Sequence, residues 1–470
     1  MACIGVDNVK SYSFGLQEPS IEADKLSYEI FSILESNFLF GCDDHNILVP
    51  KQLTQQLGND VVLKGEDGFQ AMKDQRWKTC ILSIDGGGMQ NILSGKALSF
   101  LEAALKSKSG NPNARIADYF DVAAGAGVGG IFTAMLFATN DQNHPIFHAD
   151  DTWKFLESES EKTCHAAKTR NNKGNILKRF FRKTGGADFP ATGLEKAIKE
   201  AFKDENTGRS LTLKNTLKPV LIPCYDLASM APFLFSRADA LESDSFDFNL
   251  WEVCMATAAE PGFFGPVCMK SVDGSTSCFG VDGGLAMNNP TAAAITHVLH
   301  NKQEFPFVEG VEDILVLSLG AGGQVLGGSF DYEEIKKWRS KDWARPSARI
   351  SADGSSELVD QAVALAFGQS RSSNYVRIQS QANGTNLSQH GSTIESYLTP
   401  SKVRMLIGAA DDMLKQKNVE SVLFNGKRIG ERSNFEKLEW FAEQLVLEHQ
   451  RRSCGIDPTV AFKQATSKTS

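Results

Sequence analysis

No stretch of about 18 uninterrupted apolar residues occurs in these 470 residues, so nothing in the sequence predicts a membrane-spanning helix. The amino terminus, Met1-Ala2-Cys3-Ile4-Gly5, lacks the basic and apolar regions of a secretory signal. Ala2 stands where N-myristoylation needs a glycine. Cysteine is sparse and unpatterned: nine residues, at 3, 42, 80, 164, 224, 254, 268, 278 and 454, with no C-x-x-C pair. That argues against a disulfide framework or a zinc site and predicts mostly buried free thiols in a reducing, cytoplasmic compartment. An excess of positive charge is also missing. Lys plus Arg number 49 against 57 acids, a formal charge of −8, which sets aside a general nucleic-acid binder. There is no internal repeat and no long low-complexity tract. The 41% hydrophobic and 23% charged fractions fit a folded globular chain and exclude a disordered or collagen-like one.

Hydrophobic spacing divides the chain into three parts. Residues 1–76 read as an N-terminal arm. Within it, Leu26, Ile30, Ile33, Leu34 and Phe38 recur at helical steps and Gly41 follows as a stop. The core occupies 77–430. Cys80-Ile81-Leu82-Ser83-Ile84 reads as a buried strand, followed by Asp85-Gly86-Gly87-Gly88 and a helix carrying Leu93, Ala97, Leu98, Leu101 and Leu105. A second strand, Tyr119 to Ala124, leads into Gly125-Ala126-Gly127-Val128-Gly129-Gly130 and a helix from Ile131 to Ala138. Further strands are expected at Pro219–Pro223, Ile314–Leu319 and Tyr375–Ile378, and a helix at Val403–Leu414. Residues 431–470 form a C-terminal helix (Phe435 to Leu447, behind a Ser433/Asn434 cap) and a polar tail. Two successive strand–glycine turn–helix units predict an α/β fold with a mostly parallel central sheet. Ligands in such folds bind beyond the carboxyl ends of the strands.

Three stretches carry chemistry. The second glycine turn has the spacing of a nucleophile elbow, G-x-S-x-G, with Gly127 where the serine would stand. A glycine has no nucleophilic atom, so a covalent acyl-enzyme cannot form there. Read as Gly125, Gly127 and Gly130, the same turn matches a dinucleotide fingerprint, although it follows the second core strand and the nearest acids, Asp150 and Asp151, follow no strand. A plain tight turn is the third reading. At the first turn, consecutive glycines expose backbone N–H groups at a helix start, an arrangement that suits an oxyanion, a phosphate or simply a flexible connection. Lastly, Val281-Asp282-Gly283-Gly284-Leu285 precedes Asn288-Asn289-Pro290. Asp282 is either a general base held at a strand end or a turn residue capping its own backbone. His297 and His300 share a helix at i, i+3 without a third metal ligand in view, and read as packing or surface residues.

In this order, the three stretches resemble the patatin-like lipid acyl hydrolases. Ile116–Val122, Tyr225-Asp226, Ala256-Thr257-Ala258-Ala259-Glu260-Pro261 and Leu317-Ser318-Leu319-Gly320 strengthen the resemblance, which covers residues 78 to 430. The N-terminal arm and the G-x-G-x-G elbow resemble a plant subgroup of that family. The resemblance implies a three-layer α/β/α domain and a Ser–Asp dyad without histidine. It further implies no metal or organic cofactor, and a glycerolipid or other acyl substrate. Asp282 would then be the proton acceptor, Gly127 the vacant nucleophile position, Gly86, Gly87 and Gly88 the oxyanion hole, and Gly125 and Gly129 the elbow. Asp85, Gly283 and Gly284 complete the motifs. Two departures stand out: glycine at 127, and Gln90-Asn91 where the family has Lys or Arg followed by Gly. Three functions are open: slow hydrolysis of phospholipid and galactolipid esters, with Asp282 activating water; a catalytically silent lipid binder; or nucleotide binding. Ser94 and Thr133 are the nearest hydroxyls in sequence to take over from a serine.

Lys162 to Lys183 contains no acid. Within it, Lys178, Arg179, Phe180, Phe181, Arg182 and Lys183 set two aromatic residues between basic pairs. Such a segment suits peripheral contact with an anionic membrane, or else is a solvated loop. The sequence leaves the oligomeric state open.

Overall fold

In the computed structural model the apolar run ending at Ile84 forms β1 (Thr79–Ile84), buried at every position near the centre of an eight-stranded sheet. The structure describes residues 77–141, 143–171, 191–261, 264–321, 332–380, 400–422 and 426–454. The expected arm helix at Leu26–Phe38 and the Lys178–Lys183 stretch lie outside the described residues.

The sheet order is β5-β6-β3-β2-β1-β7-β8, with β4 on β3. β1 pairs in parallel with β2 (Val122–Gly125) and β7 (Ile314–Leu319). The parallel set is completed by β3 (Val220–Asp226) and β8 (Tyr375–Ile378). β4 (Ala231–Ser236), β5 (Val267–Lys270) and β6 (Ser277–Val281) form an antiparallel margin beside β3. Alternate residues of β1 enter opposite cores, which is the pleat of a sheet covered on both faces. Cys80, Leu82 and Ile84 pack on one side with the helices Ile92–Ser109, Val128–Phe137, Pro400–Lys415 and Asn434–Cys454. Ile81 packs on the other with Thr291–His300 and the long helix Ser340–Phe367. The result is a three-layer α/β/α domain. A separate ribbon pairs β9 (Lys417–Val422) with β10 (Gly426–Ser433).

The second strand is shorter than its sequence predicts. Ile116–Tyr119 is a helical turn, because the Asp118 carboxylate accepts the Arg115 N–H at 2.8 Å and starts a helix there. Asp121 is then held outside the strand, where its carboxylate accepts the Cys80 N–H at 2.8 Å and pairs with Arg452 at 2.6 Å. That pair ties the C-terminal helix to the start of β1. The same helix begins with a reciprocal cap: Ser433 N–H donates to Glu436 Oε2 at 2.6 Å, and Glu436 N–H donates to Ser433 Oγ at 3.2 Å.

Candidate active site

β2 ends at Gly125, and the chain reverses through Ala126 and Gly127 into the Val128–Phe137 helix. Gly127 has φ 54° and ψ −129°, backbone that side-chain-bearing residues rarely adopt. Its N–H donates to Thr257 Oγ1 at 3.0 Å, which fixes the tip. A Cβ on Gly129 would lie 2.5 Å from the carbonyl oxygens of Ile84 and Asp85, so only hydrogen fits where the elbow meets the end of β1. Gly125 is crowded in the same way by Gly129 O and Thr133 Oγ1. The tip is different. A carbon added to Gly127 would meet Gly86 Cα at 3.6 Å and both Asp282 Oδ1 and Thr257 O at 3.8 Å, all ordinary contacts.

The first glycine turn lies beside that tip. Gly86 N–H donates to the Asn288 carbonyl at 2.9 Å and is therefore already engaged. Gly87 and Gly88 are exposed, and their N–H groups have no acceptor among the described residues. Asp85, which opens the turn, points away from the cleft. Arg377 grips its buried carboxylate with two bonds, Nη1 to Oδ1 at 3.0 Å and Nη2 to Oδ2 at 2.6 Å. Burial pushes the Asp85 carboxyl upward, and Arg377 opposes that shift. Asn91 Nδ2 donates to the Asp85 carbonyl at 2.8 Å, so a residue that departs from the family pattern helps to pin the loop.

Asp282 follows β6 and caps the short Gly283–Met287 helix, its Oδ1 accepting the Gly284 N–H at 2.9 Å. Its own N–H donates to the Ala259 carbonyl at 3.1 Å. No cation pairs with it among the described residues. Burial pushes its carboxyl up to about 6, with the Gly284 N–H pulling the other way. Gly283 sits against the Pro223 carbonyl and Thr257 Oγ1, so Thr257 contacts both the elbow and the Asp282 turn.

Together these parts form a cleft with a carboxylate able to take a proton, two unengaged N–H groups and room for a side-chain carbon at Gly127. A carboxylate so close to the elbow tip repels phosphate, which weighs against nucleotide binding there. The two hydroxyls nearest in sequence are not available to attack a substrate. Ser94 Oγ donates to the Gly320 carbonyl at 3.4 Å and Thr133 Oγ1 to the Gly129 carbonyl at 2.9 Å, and both residues are buried. His297 lies 3.8 Å from Glu304 and edge-on to Phe305, while His300 is exposed. No group of three His, Cys, Asp or Glu is placed to hold a metal among the described residues. No helix among them is long and apolar enough to cross a membrane.

Three residues at this site had no role in the sequence reading. Thr257 lies inside the A-T-A-A-E-P stretch, and Asn288 follows the Asp282 motif directly. Arg377 was signalled only by a charge inside the apolar strand Tyr-Val-Arg-Ile. All three act across the sheet edge, where local spacing gives no clue to the partner.

Residues 82–295 match a family model described as patatin-like phospholipase. Patatin-like protein 6 of Arabidopsis thaliana is 60% identical over 458 residues, covering 96% of this chain and 89% of that one. Patatin-like protein 7 of the same plant is 61% identical over 467 residues, covering 98% and 88%. A third Arabidopsis protein, named "Probable inactive patatin-like protein 9", is 43% identical over 388 residues, covering 82% and 91%.

Proposed function

The chain belongs to the patatin-like phospholipase family, and from that premise we propose that it cleaves acyl esters of membrane glycerolipids slowly, using water in place of the missing serine. In this reading a water occupies the space at Gly127. Asp282 takes its proton as the water oxygen bonds to the ester carbonyl carbon, and the Gly87 and Gly88 N–H groups receive the oxyanion. The carbon–oxygen bond to the glycerol then breaks, and Asp282 returns the proton to the leaving alkoxide. The products are a fatty acid and a lysolipid, with no acyl-enzyme. An oxyanion site and substrate binding alone supply about 10³–10⁴-fold acceleration over water, so slow turnover is expected.

The observation that carries this reading is the Asp282 carboxylate 3.8 Å from the vacant side-chain position at Gly127. A buried carboxylate without a cationic partner costs stability, and general-base duty gives it a use. Peripheral membrane contact belongs to the same proposal, and the basic Lys178–Lys183 stretch adds attraction where the lipid is anionic without being required for contact.

The test is turnover of labelled phosphatidylcholine, galactolipid and acyl-CoA by the purified chain and by Asp282→Asn. Turnover that disappears in the variant supports the reading. Equal background in both overturns it and leaves the second reading, a lipid binder without turnover. The bare backbone at Gly127 favours that second reading.

A further inference from the structure

Four large apolar side chains stand exposed beside the cleft: Leu227 (48%), Met230 (78%), Phe279 (44%) and Leu285 (47%). Strand register accounts for their grouping. Leu221 of β3 lies opposite Ala124 of β2, so Cys224, Tyr225 and Asp226 project beyond the edge where β2 ends. Leu227 continues that projection and donates its N–H to the Phe279 carbonyl at 3.0 Å. Tyr225 is flanked by Pro232 of β4 and Val281 of β6. Phe279, two residues before Val281, shares its face. Asp282 comes next in the chain, and Leu285 N–H donates to its carbonyl at 3.1 Å.

The projecting turn is held in a fixed shape. The Asp226 carboxylate accepts the N–H groups of Ala228, Ser229 and Phe279 at 3.1, 3.0 and 2.8 Å. Met230, the most exposed of the four, has φ 54°, the one non-glycine in left-handed backbone among the described residues. Cations are scarce. Residues 227–236 carry no charged side chain, and 264–287 carry only Lys270, Asp273 and Asp282. Lys270 is exposed and pairs with Ser277 at the far end of the β5–β6 hairpin. An anionic bilayer is recognised through clusters of Lys and Arg, and one lysine accompanied by two acids is no such cluster. Exposed apolar groups without an excess of cations match a surface of no net charge.

We propose that the Leu227–Met230 turn, together with Phe279 and Leu285, is a docking lip that seats the cleft on a lipid surface of no net charge. The proposal rests on the acyl-ester reading for its choice of a lipid partner, since the substrate resides in the same phase the lip would enter.

The test is co-sedimentation of the full chain with phosphatidylcholine vesicles, and with the same vesicles containing phosphatidylglycerol. The double variant Met230→Asn/Phe279→Thr is compared with the wild type. Asparagine suits left-handed backbone and threonine suits a strand, so the variant should keep its thermal midpoint. Its partitioning onto phosphatidylcholine should fall at least about tenfold. Equal binding by variant and wild type overturns the proposal. So does wild-type binding that requires phosphatidylglycerol, which would point to Lys178–Lys183. A dimer in sedimentation analysis that the double variant splits into monomers also overturns it, because a second copy would then cover the lip. Vesicle binding without any hydrolysis would count against the hydrolytic reading alone and leave the lip in place.

Discussion

Asp282 Oδ1 stands 3.8 Å from the point where a side chain on Gly127 would begin, and Gly86 Cα stands 3.6 Å from the same point. The first carbon of a side chain there would therefore rest in ordinary contact with both the carboxylate and the glycine loop. Gly127→Ser should acquire ester hydrolysis at least about 100-fold above the parent, within the range by which a positioned base accelerates proton transfer. It should also react with serine-directed organophosphates, which the parent should not. Left-handed backbone at a non-glycine residue costs about 1–3 kcal/mol, so the variant should also melt earlier. An earlier melt without organophosphate labelling would mean that the Gly87–Gly88 side of the cleft does not support an oxyanion.

The pH response follows from the raised Asp282 carboxyl. General-base action needs the ionised form, so turnover should climb as pH rises through about 6 and level off above it. An ascending limb centred near 4, the ordinary carboxylate range, would remove Asp282 from the proton-transfer step.

Stability should run in the opposite direction. The folded chain binds the Asp282 proton more tightly than the unfolded one. This group's contribution is therefore constant below the ordinary value near 3.8, falls as pH rises from there to about 6, and is constant again above. Asp282→Asn removes the buried charge while its amide oxygen can still accept the Gly284 N–H. Urea unfolding should show the variant more stable than wild type by about 1–3 kcal/mol at pH 8 and little different at pH 4. The same stability difference at both pH values would contradict the raised carboxyl.

How much of this arrangement could be read from sequence depended on distance along the chain. β1 with Asp85–Gly88, and β2 with the Gly125–Gly130 turn, were legible because each combines an apolar run, a glycine turn and a helix start within a few residues. The short antiparallel strands β4, β5 and β6 were not. Pro232 interrupts the apolar run of β4, while β5 and β6 hold no long apolar run, and pairing with β3 or with each other is what makes them strands. Tyr119 and Phe120 are apolar enough to suggest strand, yet Asp118 starts a helical turn there. At the site, glycine spacing identified Gly127 and Asp282. The supports escaped notice because they are remote: Thr257 is 130 residues from Gly127, and Arg377 is 292 from Asp85.

Arg377 tests whether that remote support matters. Its guanidinium makes two bonds to Asp85 and a third to Ser318 Oγ at 2.7 Å. Ser318 in turn lies 2.9 Å from Thr291 Oγ1, which donates to Ser83 Oγ at 2.8 Å. Arg377→Met leaves the Asp85 carboxylate buried and unpaired beneath the glycine loop, a change that typically costs about 3–5 kcal/mol. Arg377→Lys keeps the charge but cannot form the two-bond grip and should lie in between. The double change Asp85→Asn/Arg377→Met removes both charges and should recover at least half of the loss. Chemical denaturation of the four proteins measures this directly. If Arg377→Met and the double variant unfold at the same urea concentration, the pair does not brace the loop, and Asn91 with the Leu319 carbonyl must hold Asp85 in place on their own.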